Sequence, residues 1–414
     1  MQRGPTGPHR LLRPGAAADG PARRPGDRPH HGADLIDLAD AAGVRGRGGA
    51  GFPTAVKMGA VRRRRGRAFV VANGTEGEPA SAKDKVLLHH APHLVIDGLV
   101  AAAEAVGARQ GFLCLERGQP GLRGVLTRAV AGREDLGSVR VEIVETPHCY
   151  VSGEETALVR FLNGGDAKPS STPPRPFEKG VDGAPTLVDN VETLADLALV
   201  ARHGPDWFRS AGVADEPGTR LFTIGGGRVA PRVHEASVGA SLVDLLRAVG
   251  EPPETVEAVL VGGYFGTWLR REQLPGLDSS SRSLATVGAS PGCGVLRVLS
   301  PGQCGLAESS RVTTWLAAQS AGQCGPCANG LPALAEQLRA VHDGGPGSDR
   351  ALAAVRQLVG LVDGRGACRL PDGTARFVTS TLRAFEAHIE EHLWSGPCHS
   401  TAAVLPAPAR GAWR

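Results

Sequence analysis

Between Leu35 and about Asp206, short β-branched runs alternate with longer alanine- and leucine-rich segments, and this rhythm constrains the fold more than any other feature. Ala68–Ala72 reads as a strand ending at Asn73-Gly74, Pro92–Ala108 as a helix and Gly111–Leu115 as a second strand. Gly121–Ala131 reads as another helix and Val139–Val144 as a third strand. A largely parallel α/β sheet follows, because parallel strands need a crossover that a helix can supply. Ligands on such sheets sit at the carboxyl ends of strands. Asn73 and the residues after Glu145 are therefore expected to converge on one site.

The ligand-bearing loop is expected ahead of the first strand, at Arg45-Gly46-Arg47-Gly48-Gly49-Ala50-Gly51-Phe52-Pro53-Thr54, with Lys57 just beyond. Glycines add no apolar surface and lose much backbone entropy, so this stretch does not suit a core. It suits a loop whose amides approach an anion between cationic side chains. Gly46, Gly48 and Gly51 also fit G-x-G-x-x-G, but a dinucleotide fingerprint follows a strand. This loop follows Ala33–Ala42, whose apolar spacing predicts a helix. A phosphate or cofactor loop of another kind is the reading, with a surface linker as the plain alternative.

Further along, the proline-rich Lys168–Pro176 reads as an irregular excursion over a site, and Asp189–Arg202 as a helix. Residues 219–272 form a compact β-rich module of ubiquitin-like proportions, with Gly225-Gly226-Gly227 as a turn. Ser279–Ser283 reads as a linker before the strand Gly294–Val298. Helices are expected at about Glu308–Ala317, Leu331–Ala340, Ala351–Val362 and Phe377–Leu393, an antiparallel four-helix bundle by default. With 414 residues, the chain exceeds one core and implies two or three domains.

A net charge of +4 is too small to argue for nucleic acid, and the run Arg62–Arg65 reads as a solvated helix end. No stretch approaches the eighteen or so apolar residues of a membrane span. Residues 1–32 are rich in proline, glycine and arginine and read as a disordered tail. Eight cysteines in a chain of this length, with no apolar signal segment, predict a reducing, cytoplasmic setting rather than a disulfide scaffold.

Three segments carry chemistry. Asn73-Gly74-Thr75-Glu76-Gly77-Glu78-Pro79 is either a binding turn or an ordinary Asn-Gly turn. Ser152-Gly153-Glu154-Glu155-Thr156 opens a helix, and Ser152 with Glu155 fits a capping box that needs no ligand. Cys324-x-x-Cys327 and Cys368 lie in separate helix connections and could meet at one end of the bundle. Three thiols are one short of an iron–sulfur set; a redox pair, free thiols or zinc are the other readings. His388 and His392, four apart on one helix face, are candidate zinc ligands or solvated histidines.

In this order the segments resemble the family of flavin-bearing (51-kDa, F-type) subunits of NADH dehydrogenase complex I and the related hydrogenase and formate dehydrogenase subunits. RGRGGAGFPT with Lys57, ANGTEGEPASAKD, the Tyr150–Leu158 stretch around GEETAL, DNVETL at Asp189–Leu194, and Ser320–Cys327 carry the likeness across about 34–395. The resemblance implies an α/β, Rossmann-like FMN/NAD-binding domain (33–215), an SLBB-like β-grasp domain (216–278) and a linker with a strand (279–300). A helical, four-helix iron–sulfur domain (301–396) and a tail (397–414) would follow.

It further implies that Gly46, Arg47, Gly48, Gly49 and Lys57 hold FMN, the amides and cations neutralising its phosphate. Asn73, Glu76 and Gly77 would line the isoalloxazine, with Gly153, Glu154, Glu155, Asn190 and Thr193 closing the pocket. Phe52 and Tyr150 would offer aromatic surfaces to NADH, and Glu78 would bind its ribose or amide end. Glu76, Glu78 and Glu155 are the acids assigned to the reacting end, and Cys324, Cys327 and Cys368 the cluster ligands. The implied activity is hydride transfer from NAD(P)H to FMN, then electron transfer through an iron–sulfur cluster, 4Fe–4S or of reduced nuclearity. The implied acceptor is a thioredoxin-like 2Fe–2S subunit, a ferredoxin or a membrane redox protein, in the cytoplasm or at the periphery of a membrane complex. A non-catalytic scaffold that docks redox partners is the alternative.

Three departures from the family pattern alter these expectations. Ala321 replaces the leading cluster cysteine, which leaves Cys398 or Cys304 as an outside ligand, a three-iron centre, or no cluster. Thr75 replaces an acid, and Gly77 a serine of some members, from which a higher flavin potential is expected. Thr172 and Arg175 replace a lysine and a phenylalanine, and Ala60 an aromatic, so weaker or altered nucleotide binding is expected.

Overall fold

Alternating buried strands and helices build the first domain. The computed structural model describes residues 10–12, 29–64, 66–398 and 403–414; most of the N-terminal tail, Arg65 and 399–402 lie outside it. Strands β1 Phe69–Gly74, β2 Gln110–Glu116, β3 Arg140–Thr146 and β4 Thr186–Asn190 form one sheet in the order β3-β2-β1-β4. All its pairings are parallel, as the alternating pattern requires. Helices α1 Asp34–Ala42 and α2 Thr54–Arg62 precede β1, and α3 Lys83–His90, α4 Pro92–Val106 and α5 Pro120–Ala131 follow in turn. Then come α6 Glu155–Leu162, α7 Val191–His203 and α8 Pro205–Arg209.

Helix α4 is apolar nearly all round because it is buried nearly all round. It crosses α7 at Gly98, where a Cβ would lie 1.8 Å from the Leu194 carbonyl oxygen, so only glycine permits the approach. Among the described residues no single helix is long and apolar enough to cross a membrane. Strand β4 falls partly where a helix from Asp189 was expected. The Asn190 side chain accepts the Glu192 amide as N-cap, so the helix starts only at Val191.

After the small hairpin β5 Gly212–Val213 and β6 Glu216–Pro217, a second sheet comprises β7 Thr219–Gly225, β8 Arg232–Ser237, β9 Ala258–Val261, β10 Thr267–Arg270 and β11 Val295–Leu299. Its order is β10-β9-β11-β7-β8, with helix α9 Leu242–Ala248 against it. The module therefore extends past residue 278. Strand β11 is its central strand, parallel to β7 and antiparallel to β9. The serine-rich segment is not a plain linker but the short helix α10 Ser281–Ala285, capped by Ser280.

The rest is helical: α11 Gly305–Ala318, α12 Leu331–Asp343, α13 Ser348–Val362, α14 Leu370–Ala384 and α15 Glu386–Ser395. One expected helix is broken in two at Phe385, whose φ of −118° and ψ of 33° leave the helical region. Its ring packs against Trp268, and a Cβ on Gly305 would collide with it. Residues 403–414 form a strap over two domains. The Leu405 amide donates to Glu308 (2.9 Å), the Trp315 indole to the Pro408 carbonyl (2.6 Å) and the Gly411 amide to the His148 carbonyl (2.7 Å).

Candidate functional site

The glycine loop is closed on itself. Arg45 bridges Pro53, the Gly46 amide donates to the Phe52 carbonyl (2.9 Å) and the Thr54 amide to that of Val44 (3.0 Å). Gly49 (φ 114°) and Gly51 (φ 62°) take left-handed backbone that L side chains resist. A Cβ on Gly48 would touch the Asn190 Cβ at 3.5 Å, so the loop sits against the end of β4. The loop is pinned from below, since the Arg47 amide donates to Thr193 Oγ1 (2.8 Å). Phe52 stands half-exposed on its outer side.

The two cations flanking the loop have different fates. Lys57 Nζ donates to the Val188 carbonyl (2.5 Å) and lies 3.4 Å from Glu155 and 3.5 Å from Asp189. Burial alone would lower its pKa, but the two carboxylates overcome this and raise it, so the ammonium stays charged. Arg47 differs from the expectation that its guanidinium faces an anion. The side chain is buried, its Nε donating to Asp196 (3.1 Å) and Nη2 to the Pro217 carbonyl (3.2 Å). A buried guanidinium needs a counter-ion, and Asp196 supplies it from inside. What Arg47 offers the loop is backbone.

The strand ends meet as the parallel sheet predicts. Asn73 and Asn190 are register partners on β1 and β4. Asn73 Nδ2 donates to the Gly153 carbonyl (2.7 Å), and Asn190 Nδ2 to the Asn73 carbonyl (3.2 Å) and Asp84 (2.7 Å). Below them lies a buried charge network: Lys83 Nζ lies 2.6 Å from Asp84, 2.8 Å from Glu192 and 3.1 Å from the Asn190 amide oxygen. Lys83, Asp84 and Glu192 were not singled out from sequence. Their available signal was charge spaced into apolar helices, Glu192 and Asp196 being four apart on buried α7.

Glu76 adopts φ 44°, a strained value for a residue with a side chain. Its carboxylate accepts the Ser81 hydroxyl (2.7 Å) and the amides of Asp84 and Lys85 (both 3.0 Å). Burial, and then the nearby Asp84 charge, raises its pKa to about 7. Glu78 accepts the Tyr150 hydroxyl (3.1 Å) and the Tyr264 amide (2.9 Å), and burial raises its pKa too. Tyr150 meets Phe265 and Trp315 edge-on, at 5.0 and 5.2 Å between ring centroids. Gly77 is obligatory, because a Cβ there would lie 2.5 Å from the Tyr150 carbonyl oxygen. A cavity of about 430 Å³ opens beside Glu76, Gly77, Lys85, Tyr150 and Trp315, and Pro406 of the strap closes one wall.

The helix-start segment departs from the expected capping box. Ser152 lies in a short 3-10 turn, its hydroxyl donating to the Pro147 and Cys149 carbonyls. Glu154 is the N-cap of α6 instead, accepting the amides of Thr156 and Ala157. Glu155 faces outward to Lys57 and Arg175.

Cys324, Cys327 and Cys368 lie near enough for Cys324 to act on the other two thiols although they leave different connections, but their sulfurs are not all within 4.8 Å of one another. Burial first, then Cys324 and Cys368, raises the Cys327 pKa to about 12, against an opposing Ser320 bond. Cys368 is raised by burial, then by Glu154 and Cys324. Gln323, beside them, accepts from Arg160 (3.1 Å) and donates to the Pro169 carbonyl (2.7 Å), fastening this corner to the flavin-side domain. Cys304 and Cys398 do not join this group. They gather instead around His392.

The donor sets fit the groups expected from the sequence. A closed loop with two left-handed glycines over a floor of amide and carboxylate edges suits a flat heterocycle bearing a phosphate. The cavity beside Tyr150 meets this site only through the Glu76–Gly77 segment, with no glycine-loop residue in its lining. Three neighbouring sulfurs suit a thiolate-held cluster with one position left to another ligand.

The Nuo51 FMN-binding domain profile matches residues 39–199, and that of the NADH-ubiquinone oxidoreductase-F iron–sulfur binding region matches residues 307–392. The F subunit of the NADH-quinone oxidoreductase of Streptomyces coelicolor is 31% identical over 380 residues, spanning 88% of this chain and 84% of its own. The chain belongs to the family of F-type flavin subunits. One of the NADH-quinone oxidoreductase F subunits of Rhizobium meliloti is 30% identical over 88% of this chain and 90% of its own. HndC, from the NADP-reducing hydrogenase of Solidesulfovibrio fructosivorans, is 28% identical over 90% and 79%. Among solved structures, an NAD+-reducing NiFe hydrogenase in its H2-reduced state superposes with a TM-score of 0.82 at 29% identity. That match covers 90% of this chain and 66% of the hydrogenase chain. The two family profiles enclose the glycine loop, the Asn73 segment and the three thiols.

Proposed function

We propose that this F-type chain is the electron-input component of an FMN-dependent oxidoreductase, taking hydride equivalents from NAD(P)H and passing electrons to an iron–sulfur centre. The observation that carries the reading is Glu154. It caps the helix that follows Gly153, the residue bonded to Asn73 of the flavin segment, and its charge is felt at Cys368 of the thiol trio. Gln323, next to Cys324, also bonds Arg160 of that same helix and the Pro169 carbonyl, which supports a thiol loop docked on the flavin-side domain, as electron transfer between them requires.

Bound FMN would supply the two-electron to one-electron conversion, the part of the chemistry side chains cannot perform. The chain supplies orientation and charge. Gly46, Gly48 and Gly49 let backbone approach the phosphate, with Lys57 as the cation held at the wall. Asn73, Asn190 and Gly77 shape the ring floor, and Thr193 fixes the loop. Glu76, titrating near neutrality, can hold a proton on its carboxylate beside the ring. Tyr150 and Phe52 offer apolar faces to the nicotinamide nucleotide, and Glu78 orients Tyr150.

Cys324, Cys327 and Cys368 would hold the cluster, its last position filled from outside this trio. The acceptor would be a separate subunit or protein: a thioredoxin-like 2Fe–2S subunit, a ferredoxin or a membrane redox protein. A cytoplasmic position at the periphery of a membrane complex fits that arrangement. Arg175, turned to Glu155 at 3.5 Å, favours weaker or altered nucleotide binding at the outer wall.

The test is the anaerobic absorption spectrum before and after NADH or NADPH, with iron and acid-labile sulfide assayed on the same sample. Bleaching of the flavin band is expected. An unchanged flavin band would turn the reading to another donor, and absence of flavin to a scaffold.

A further inference from the structure

Away from the flavin loop and the thiol trio, the bundle gathers a second set of soft donors. Cys304 is the N-cap of α11, its Sγ accepting the Ala307 amide at 3.3 Å. His392 lies in the last turns of α15, and Cys398 follows three residues after that helix ends. Cys304 Sγ lies 3.4 Å from His392 Nε2, and one donor atom from each of the three residues falls within 4.8 Å of the other two. Cys304 and His392 are buried.

Two features make this more than a chance meeting of buried side chains. His392 Nδ1 lies 2.6 Å from the His342 carbonyl oxygen, which can only accept, so Nδ1 carries the proton. Nε2 then carries the lone pair, which lies 3.4 Å from the Cys304 sulfur and accepts the Cys398 amide at 3.4 Å. A backbone carbonyl on the other ring nitrogen is the arrangement that orients a metal-bound histidine. Cys304 in turn is held in place as the N-cap of the fourteen-residue helix α11, its Sγ fixed by the Ala307 amide.

Spacing and donor chemistry select the ion. Bonds of roughly 2.3 Å to sulfur and 2.1 Å to nitrogen around a tetrahedral centre place neighbouring donors about 3.6 Å apart. The Cys304–His392 separation of 3.4 Å is already at that spacing. Two thiolates and an imidazole, with no carboxylate, suit zinc rather than magnesium or calcium. His388, one turn before His392, has a buried Nδ1 with no hydrogen-bond partner among the described residues. Its ring is stacked on Phe385 and it is not among the donors that lie within 4.8 Å of one another, so the fourth position falls to water.

We propose that Cys304, His392 and Cys398 bind one structural zinc ion, distinct from the thiol trio. The ion joins the start of α11 and the end of α15 to the segment that leads into the 403–414 strap. That strap carries Pro406, a wall of the cavity beside Glu76.

The experiment uses full-length protein grown with zinc, with zinc and iron measured by mass spectrometry on wild type, His392→Gln, Cys398→Ser and Cys324→Ser. About one zinc per chain is expected in wild type and Cys324→Ser, falling about tenfold or more in the other two. Protein grown with cobalt should show thiolate-to-cobalt charge transfer and strong visible d–d bands that His392→Gln lacks. Alkylation of Cys398 in wild type should be slow and should accelerate on chelation, a readout that survives misfolding of any variant. Zinc retained in His392→Gln and Cys398→Ser, or lost in Cys324→Ser alone, would overturn the proposal. So would a Cys304–Cys398 disulfide in unreduced protein, or alkylation indifferent to chelator.

Discussion

The Glu154 carboxylate that caps helix α6 also acts on the Cys368 thiol, raising its pKa after burial has done so. One acid therefore both caps the helix that follows Gly153 and acts on the thiol trio. Replacing it with Gln keeps an oxygen acceptor for the Thr156 and Ala157 amides and removes the charge. A partly screened charge contributes roughly 1 kcal/mol, which corresponds to about 40 mV for one electron. We expect Glu154→Gln to raise the cluster potential by about that amount, read by redox titration. Glu154→Ala should in addition lose about 1 kcal/mol of stability through the missing cap.

Glu76 gives a pH dependence with a defined sign. Its pKa is raised from the ordinary value of 4.5 to about 7 by burial and Asp84. Between those values the native protein binds more protons at this site than the unfolded chain does. Its contribution to stability is therefore complete below about 4.5 and is lost as pH rises through about 7. Glu76→Gln cannot ionise and also loses an acceptor for the Lys85 amide, a penalty independent of pH. Urea unfolding of wild type and variant should show a stability difference that changes steadily, in the variant's favour, between about pH 4.5 and 7. A parallel pair of curves would refute the assignment.

Two glycines separate close packing from backbone strain. Gly77→Ala places a methyl 2.5 Å from the Tyr150 carbonyl oxygen, and that backbone must move. The expected cost is about 2–3 kcal/mol, with loss of flavin retained through gel filtration. Gly51→Ala meets nothing within 4 Å but must hold φ at 62°. It should cost about 1 kcal/mol, with flavin largely retained.

Arg47 and Asp196 form a buried pair, and burial pushes the Asp196 carboxyl up to about 7 despite the guanidinium. Arg47→Ala leaves that carboxyl uncompensated and should cost about 3–5 kcal/mol. The double variant Arg47→Met with Asp196→Leu should recover most of this in thermal or urea unfolding. If Arg47 instead contacts the flavin phosphate through its side chain, the double variant would regain stability yet fail to bind FMN. Retained FMN binding is the expected result.

Much of the site was legible because its demands are local. Left-handed loop positions need glycine, strand ends need turn residues, and a helix start needs a cap. The loop Arg45–Thr54 and the Asn73 segment could be placed from residue type and spacing, whereas the helix start at Val191, capped by Asn190, could not. The direction of the Arg47 side chain could not. Nothing within its segment reveals that Asp196, 149 residues away, waits beneath the loop. The capping residue was misplaced by two positions for a related reason, since the Pro147 and Cys149 carbonyls engage Ser152 before it can cap.

By itself, the sequence determined the alternation of strand and helix, the parallel sheet, and the loop and thiols that chemistry can use. These follow from periodicity and from backbone angles open to few residues. Tertiary structure alone decided the partners. It put β11 at the centre of the second sheet, split the last long helix at Phe385, and divided the C-terminal cysteines between two clusters. Cys304 and Cys398 are 94 residues apart in sequence, and only the folded bundle brings both to His392. Contacts between distant segments depend on how helices pack, and helix spacing records only which face is buried, not what lies across from it.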